Sequence, residues 1–277
     1  MQSTQINLPL PQLKAVELDG GHGPLRALID EPLRKQVRTV IAFTGRSGGV
    51  SVAPYDSLNL GDHVADDPAS VRENRMTLMR SLDVPAGCHD RLIVPNQVHG
   101  SFVLEVGDNL SAAASTAHGG ADGIVCAQSG APVLLCFADC VPVILVAPGG
   151  AFAVAHAGWR GAIADIPAKA LLRLCDAAGC SPDDCNAYIG PHIGSCCYET
   201  SQEILERFVS EFGDGCDCGN RLLDLSFAVE ASLLRAGASE RRIVDAKACT
   251  HCNERFYFSY RASGGTTGRH GAFAYKE

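Results

Sequence analysis

Val141-Pro142-Val143-Ile144-Leu145-Val146-Ala147-Pro148-Gly149-Gly150-Ala151-Phe152-Ala153-Val154-Ala155-His156-Ala157-Gly158-Trp159-Arg160-Gly161 decides how the rest of the chain is read. Residues 141–147 and 151–155 are uncharged apolar runs of strand length, and such runs belong to strands buried on both faces. Gly149-Gly150 between them fits a tight hairpin. The second run then stops at a histidine, two glycines, the only tryptophan and an arginine. Loops at strand ends carry chemistry more often than the strands that place them.

Working outward, residues 37–43 read as the first strand, and Pro9, Pro11, Pro24 and Pro32 predict an irregular lead-in over 1–36. Asp66-Asp67-Pro68 opens a helix with an acidic cap and a proline in its first turn. Val71, Arg75, Leu78 and Leu82 continue it at helical spacing. Strand-like runs are expected at 91–94, 102–106, 123–126 and 133–137. A helix over 166–178 stops at Gly179. Thr200 and Glu203 have capping-box spacing before another helix. A further helix covers 227–235, and 243–244 and 256–260 read as late strands. Adjacent strands mixed with helices predict an α/β (α+β) architecture rather than regular strand–helix alternation.

Two other turns share the character of the one at His156. These are Asn96-Gln97-Val98-His99-Gly100 and Ala138-Asp139-Cys140-Val141-Pro142. Imidazole nitrogen and thiolate sulfur suit zinc, and three protein ligands leave a fourth position open. Each residue also has a structural reading: a solvated turn histidine, or a buried strand cysteine. Cys140 has a second functional reading, as a thiolate nucleophile beside a histidine. Asp122 and Asp139 are turn residues by default. Arg46 and Ser47 lie in the loop Gly45-Arg46-Ser47-Gly48-Gly49, whose amides could cradle an anion. Arg160, Arg261 and Arg269 are weaker anion candidates. Trp159 could stack on a flat heterocycle or pack in the core. His192 stays outside the site.

Composition narrows the classes. The chain has 277 residues, 46% hydrophobic and 19% charged, and a net charge of -8, which disfavours nucleic-acid binding. No apolar run reaches the ~18 residues of a membrane span. No signal-peptide pattern is seen at 1–10, so a cytoplasmic, reducing location is expected. Thirteen cysteines form an odd set, read mostly as small buried hydrophobes. Cys216, Cys218, Cys249 and Cys252, with His251 nearby, offer a possible structural zinc site. The pair Cys196-Cys197 and the group Cys175, Cys180 and Cys185 lack ligand spacing.

The motif order resembles the YfiH-like family, also called laccase-domain or polyphenol oxidase proteins. The resemblance starts at Phe43-Thr44-Gly45-Arg46-Ser47-Gly48-Gly49-Val50-Ser51 and ends at Thr267-Gly268-Arg269. Between them stand Ser57-Leu58-Asn59-Leu60-Gly61, Asn74-Arg75, Gln97-Val98-His99-Gly100, Ala138-Asp139-Cys140, His156-Ala157-Gly158-Trp159-Arg160-Gly161, Ile189-Gly190-Pro191-His192-Ile193-Gly194 and Phe258-Ser259-Tyr260-Arg261. It implies a catalytic domain over 37–277, one compact unit with mixed β-sheets flanked by helices. It implies metal ligation by His99, Cys140 and His156, with Arg46 as an active-site residue. Ser47, Asp122, Asp139 and Trp159 are the accompanying substrate-side candidates. The activity implied is zinc-dependent purine nucleoside chemistry: phosphorolysis, with phosphate and a purine nucleoside as small-molecule substrates, or adenosine deamination. The alternatives are a metal-dependent hydrolase removing misplaced serine from cell-wall precursors, and a non-catalytic zinc-stabilised interaction module. Zinc is preferred to copper. Multicopper oxidation needs histidine-rich copper sites and usually an axial methionine, whereas the nine histidines include no His-x-His pair and only three methionines are present.

Overall fold

The computed structural model describes residues 8–277. Residues 1–7, where part of the lead-in and signal readings fall, lie outside the described residues.

Two sheets stack face to face. The first has the order β1(Lys14–Asp19), β2(Pro24–Ile29), β3(Thr39–Thr44), β11(His270–Lys276), β6(Val133–Phe137), and all its pairings are antiparallel. The second has the order β10(Ile243–Asp245), β9(Asn186–Ile189), β7(Val141–Val146), β8(Phe152–Ala157), β5(Gly123–Cys126), β4(Val103–Val106). Its edges, β10 on β9 and β4 on β5, are parallel, and its centre is antiparallel.

Strand alternation splits the apolar residues of β7 between two cores. Ile144 and Val146 face the first sheet, where they meet Phe43, Leu135 and Ala272. Val141, Val143 and Leu145 face a helical layer. That layer comprises α4(Trp159–Ile163), α5(Ile166–Ala178), α6(Gln202–Phe212) and α7(Leu225–Arg235). A third core lies on the outer face of the first sheet, under Leu78, Met79 and Leu82 of α2(Pro68–Ser81) and the residue after it. Uncharged runs at 133–137, 141–146 and 152–157 therefore follow from strands covered on both sides. Just past the end of β9, against Phe43 of β3, only glycine fits: a Cβ on Gly190 would lie 2.3 Å from the Phe43 ring.

The expected α2 forms with Asp67 as its cap, and α5 ends at a left-handed Gly179. Several local expectations are corrected. The stretch read as irregular carries β1, β2 and α1(Glu31–Val37). β2 gains order by pairing with β3, and β1 by pairing with β2, contacts that local sequence does not advertise. Residues 91–94 form no strand beyond a single bridge from Ile93 to Val133. Residues 256–260 form no strand, and the last strand is instead β11. The α6 cap is Ser201 rather than Thr200: its side chain accepts from Ile204 N at 3.3 Å. α3(Leu110–His118) was not anticipated from its weakly patterned alanines. Among the described residues no helix is long and apolar enough to cross a membrane.

Candidate active site

His99, Cys140 and His156 converge where the two sheets meet. Their ligand-type atoms all lie within 4.8 Å of one another. His156 is the second-last residue of β8, Cys140 immediately precedes β7, and those strands are paired. The hairpin therefore brings two of the three together. His99 arrives on a separate loop bound to both sheets. Its neighbour Gln97 exchanges two 2.8 Å hydrogen bonds with the Cys136 backbone of β6.

The other anchor of that loop is Asp122, fully buried just before β5. Its carboxylate accepts from His99 N at 2.9 Å, Gly100 N at 2.6 Å and Val98 N at 3.3 Å. It also meets His156 Nδ1 at 2.8 Å, leaving Nε2 as the ring nitrogen available to the cluster. Burial opposes ionisation of Asp122, but His156 and these amides hold it below the usual carboxylate range. Fixing an imidazole through its second nitrogen in this way is how proteins orient metal-binding histidines.

The cluster is electrostatically self-consistent. Burial disfavours a Cys140 thiolate, yet His156 and His99 more than compensate and bring it down to about 6. Burial works against charge on His156 too, but Cys140 and Asp122 raise it to about 9. The rings of His99 and His156 meet edge-on, with centroids 4.8 Å apart. His99 has φ 59° and Asp139 φ 89°. Such left-handed backbone in non-glycine residues gathers at functional sites.

The cluster forms the floor of a cavity of about 500 Å³. Phe137, Trp159, Ile193, Tyr198 and Tyr260 supply apolar and aromatic walls. His63, Arg261 and Arg269 supply cationic or proton-carrying ones. Burial and the nearby Arg269 push His63 below its usual range. Arg269 is steered by its own bonds to Thr267 O (2.8 Å) and Gly268 O (3.0 Å). Asp139 lines the cavity and ties its wall together, accepting from Thr250 Oγ1 at 2.6 Å and Arg261 N at 2.7 Å.

Arg46 and Ser47 do not join this site, contrary to expectation. They line a separate shallow depression with Asp56, Ser57, Glu254 and Arg255. The Arg46 guanidinium donates to Asp56 O and Glu254 O, both at 3.0 Å, and pairs with the Asp56 carboxylate at 3.3 Å. It also stacks over Phe258. Each of its three nitrogens thus holds a partner in a neighbouring loop. His63 and Tyr198 carry no periodic signature in the sequence, and Tyr260 stands there only inside the motif Phe258-Ser259-Tyr260-Arg261, without a site role. His192 is buried, with Nδ1 on Gly190 O, and lies outside the cavity lining. The proposed grouping of Cys216 and Cys218 with Cys249 and Cys252 does not form. Instead Cys196 and Cys197 meet Cys249 and Cys252, and Cys175, Cys180 and Cys185 also gather, the sulfurs of each group lying within 4.8 Å of one another.

The profile described as multi-copper polyphenol oxidoreductase laccase matches residues 40–277. The chain belongs to that family. It is 36% identical over 246 residues to purine nucleoside phosphorylase YlmD of Geobacillus stearothermophilus, covering 84% of this chain and 89% of the relative. It is 33% identical over 248 residues to adenosine deaminase RL5 from an unknown prokaryotic organism, covering 85% and 93%. The crystal structure of Bacillus licheniformis YfiH superposes with a TM-score of 0.81 at 30% identity, covering 91% of this chain and 96% of that one.

A metal fits the three converging residues on their donor chemistry. Two imidazoles and a low-pKa thiol are the ligand types zinc takes. Space is kept beside them by Gly158, where a Cβ would lie 3.1 Å from Cys140 Sγ and 3.2 Å from His99 Cδ2. The several coppers in the family description fit less well. Among the described residues no methionine lines the cavity, and of the remaining histidines only His63 reaches it.

Proposed function

We propose that this protein is a zinc-dependent purine nucleoside phosphorylase, with adenosine deamination as a second reaction in the same cavity. One observation carries the reading: a two-imidazole, one-thiolate cluster floors a cavity that has both aromatic walls and cationic side chains. About 500 Å³ suits a ligand of nucleoside size. A zinc held by His99, Cys140 and His156 supplies Lewis acidity without redox chemistry.

In phosphorolysis a phosphate oxygen bonds to C1′ of the ribose. The C1′–N9 bond breaks, its electron pair leaves with the purine, and the base takes up a proton. Arg269 and Arg261, which line the cavity, rather than Arg46, would hold the phosphate. Trp159 and Tyr260 offer faces for the purine. Asp122 fixes the two histidines, and Asp139 positions Arg261. Phosphate and the purine nucleoside are thus the small-molecule partners. Deamination is kept because a relative bears that name.

The test is product analysis with inosine and adenosine under anaerobic conditions, with and without phosphate. Free base and ribose 1-phosphate, formed only with phosphate, are expected. Inosine from adenosine would establish the second reaction. Phenol oxidation at catalytic rates, with several coppers bound and no nucleoside turnover, would overturn the reading.

A further inference from the structure

We propose that Cys196, Cys197, Cys249 and Cys252 form a second metal site, a four-thiolate zinc centre that staples one wall of the cavity. All four sulfurs lie within 4.8 Å of one another. Cys252 Sγ stands 3.6 Å from Cys196 Sγ and 3.4 Å from Cys197 Sγ. Four sulfurs at about 2.3 Å from a tetrahedral zinc are about 3.8 Å apart. The observed spacing is therefore that of a single ion's ligand shell. A multi-iron cluster needs its sulfurs spread wider around several metal atoms.

The backbone supports this grouping. β9 and β10 are parallel neighbours, and the segments leaving their ends stay paired through a bridge between His192 and Cys249. His192 N donates to Ala248 O at 3.2 Å, and Thr250 N donates to His192 O at 2.9 Å. One segment then turns through Cys196-Cys197 and the other through Cys249 to Cys252. Gly194 N donates to Cys249 Sγ at 3.2 Å, the amide-to-sulfur bond that commonly stabilises a bound thiolate. A Cβ on Gly194 would lie 3.2 Å from Cys249 Cβ and 3.4 Å from Cys196 Sγ, so glycine leaves the sulfurs room. With four protein ligands the centre is closed and structural, unlike the three-ligand floor of the cavity.

Its position gives it a task. Tyr198, next to Cys197, lines the cavity. Thr250, between Cys249 and Cys252, donates to Asp139, which also receives Arg261 N. An ion joining the two segments would hold Tyr198 and Arg261 at fixed distances from Cys140. It would replace the core packing that this half-exposed corner lacks.

The centre can be measured apart from the cavity floor. In a His99→Ala/His156→Ala variant, cobalt should give the intense thiolate charge-transfer bands and tetrahedral ligand-field bands of a four-sulfur site. Adding Cys249→Ser/Cys252→Ser should remove them. Wild-type protein purified under reducing conditions should carry about two zinc ions per chain, and the Cys249→Ser/Cys252→Ser protein about one. If that variant fails to fold, Cys196→Ser, which leaves three sulfurs, should still show a weakened and blue-shifted cobalt spectrum. Absence of the cobalt bands from folded His99→Ala/His156→Ala protein would overturn the proposal. So would a Cys197–Cys252 disulfide in anaerobically purified protein, or iron in place of zinc.

Discussion

The cavity floor and the Arg46 loop look alike in sequence, since each is a glycine-bearing turn at a strand end with a chemically capable side chain. In the fold they are opposites. At the floor, His156 is 3% exposed and oriented by a fully buried carboxylate, and three donor atoms from separate segments point at one another. In the Arg46 loop the guanidinium is spent on Asp56 O, Glu254 O and the Asp56 carboxylate. A functional site is marked by groups that converge while keeping capacity to spare. A structural turn consumes that capacity internally.

Substitutions should separate the two regions, and the largest effect belongs at the floor. Cys140→Ala or His156→Ala should remove zinc from the cavity and lower nucleoside turnover by more than any change below, with near-ultraviolet circular dichroism showing an intact fold. Zinc retention and normal turnover in either variant would break the contrast. Asp122→Asn keeps the shape but removes the charge that orients both histidines. It should cost about 10–100-fold in zinc affinity or turnover, measured by competition with a chelator and by initial rates.

Arg269→Ala should raise the KM for phosphate by about tenfold, the order expected for one lost hydrogen bond to a charged group. The KM for nucleoside should move less. Equal increases in both would place Arg269 outside the anion subsite.

Proton competition sharpens the account of the floor. Between about 6 and about 9, Cys140 is already ionised and His156 still carries its extra proton. Zinc binding in that range must displace the His156 proton. Calorimetry in buffers of different ionisation enthalpy should show about one proton released from His156 at neutral pH. Affinity should decline as pH falls through this range, and more steeply below about 6, where Cys140 also becomes protonated. A flat pH profile would contradict the ligand set.

The smallest effect on activity is expected at the loop. Arg46→Ala should leave kcat and both KM values within about threefold, yet lower Tm by a few degrees, on the order of 1 kcal/mol for the lost loop bonds. A phosphate KM raised as far as in Arg269→Ala would reverse the comparison.

Much of this was legible in the chain itself. Uncharged runs at 133–137, 141–147 and 151–155 declared buried strands because a strand covered on both faces has no polar side. Asp67-Pro68 and Gly179 fixed helix ends because capping chemistry is local. Residue types at His99, Cys140 and His156 allowed a metal, since imidazole and thiolate are ligand types, but left structural readings open, and only the family resemblance joined the three. Tertiary structure decided the rest. The lead-in around 14–29 became strands because β2 pairs with β3 and β1 with β2, and the other neighbour of β3 is β11 rather than 256–260. Cys196 and Cys197 found Cys249 and Cys252, rather than Cys216 and Cys218, because β9 and β10 run in parallel and deliver their exits to one corner. Arg46 turned away from the cavity and Arg269 into it because a side chain's direction depends on which backbone carbonyls surround it. Proximity between residues far apart in sequence is set by packing, and no local pattern encodes it.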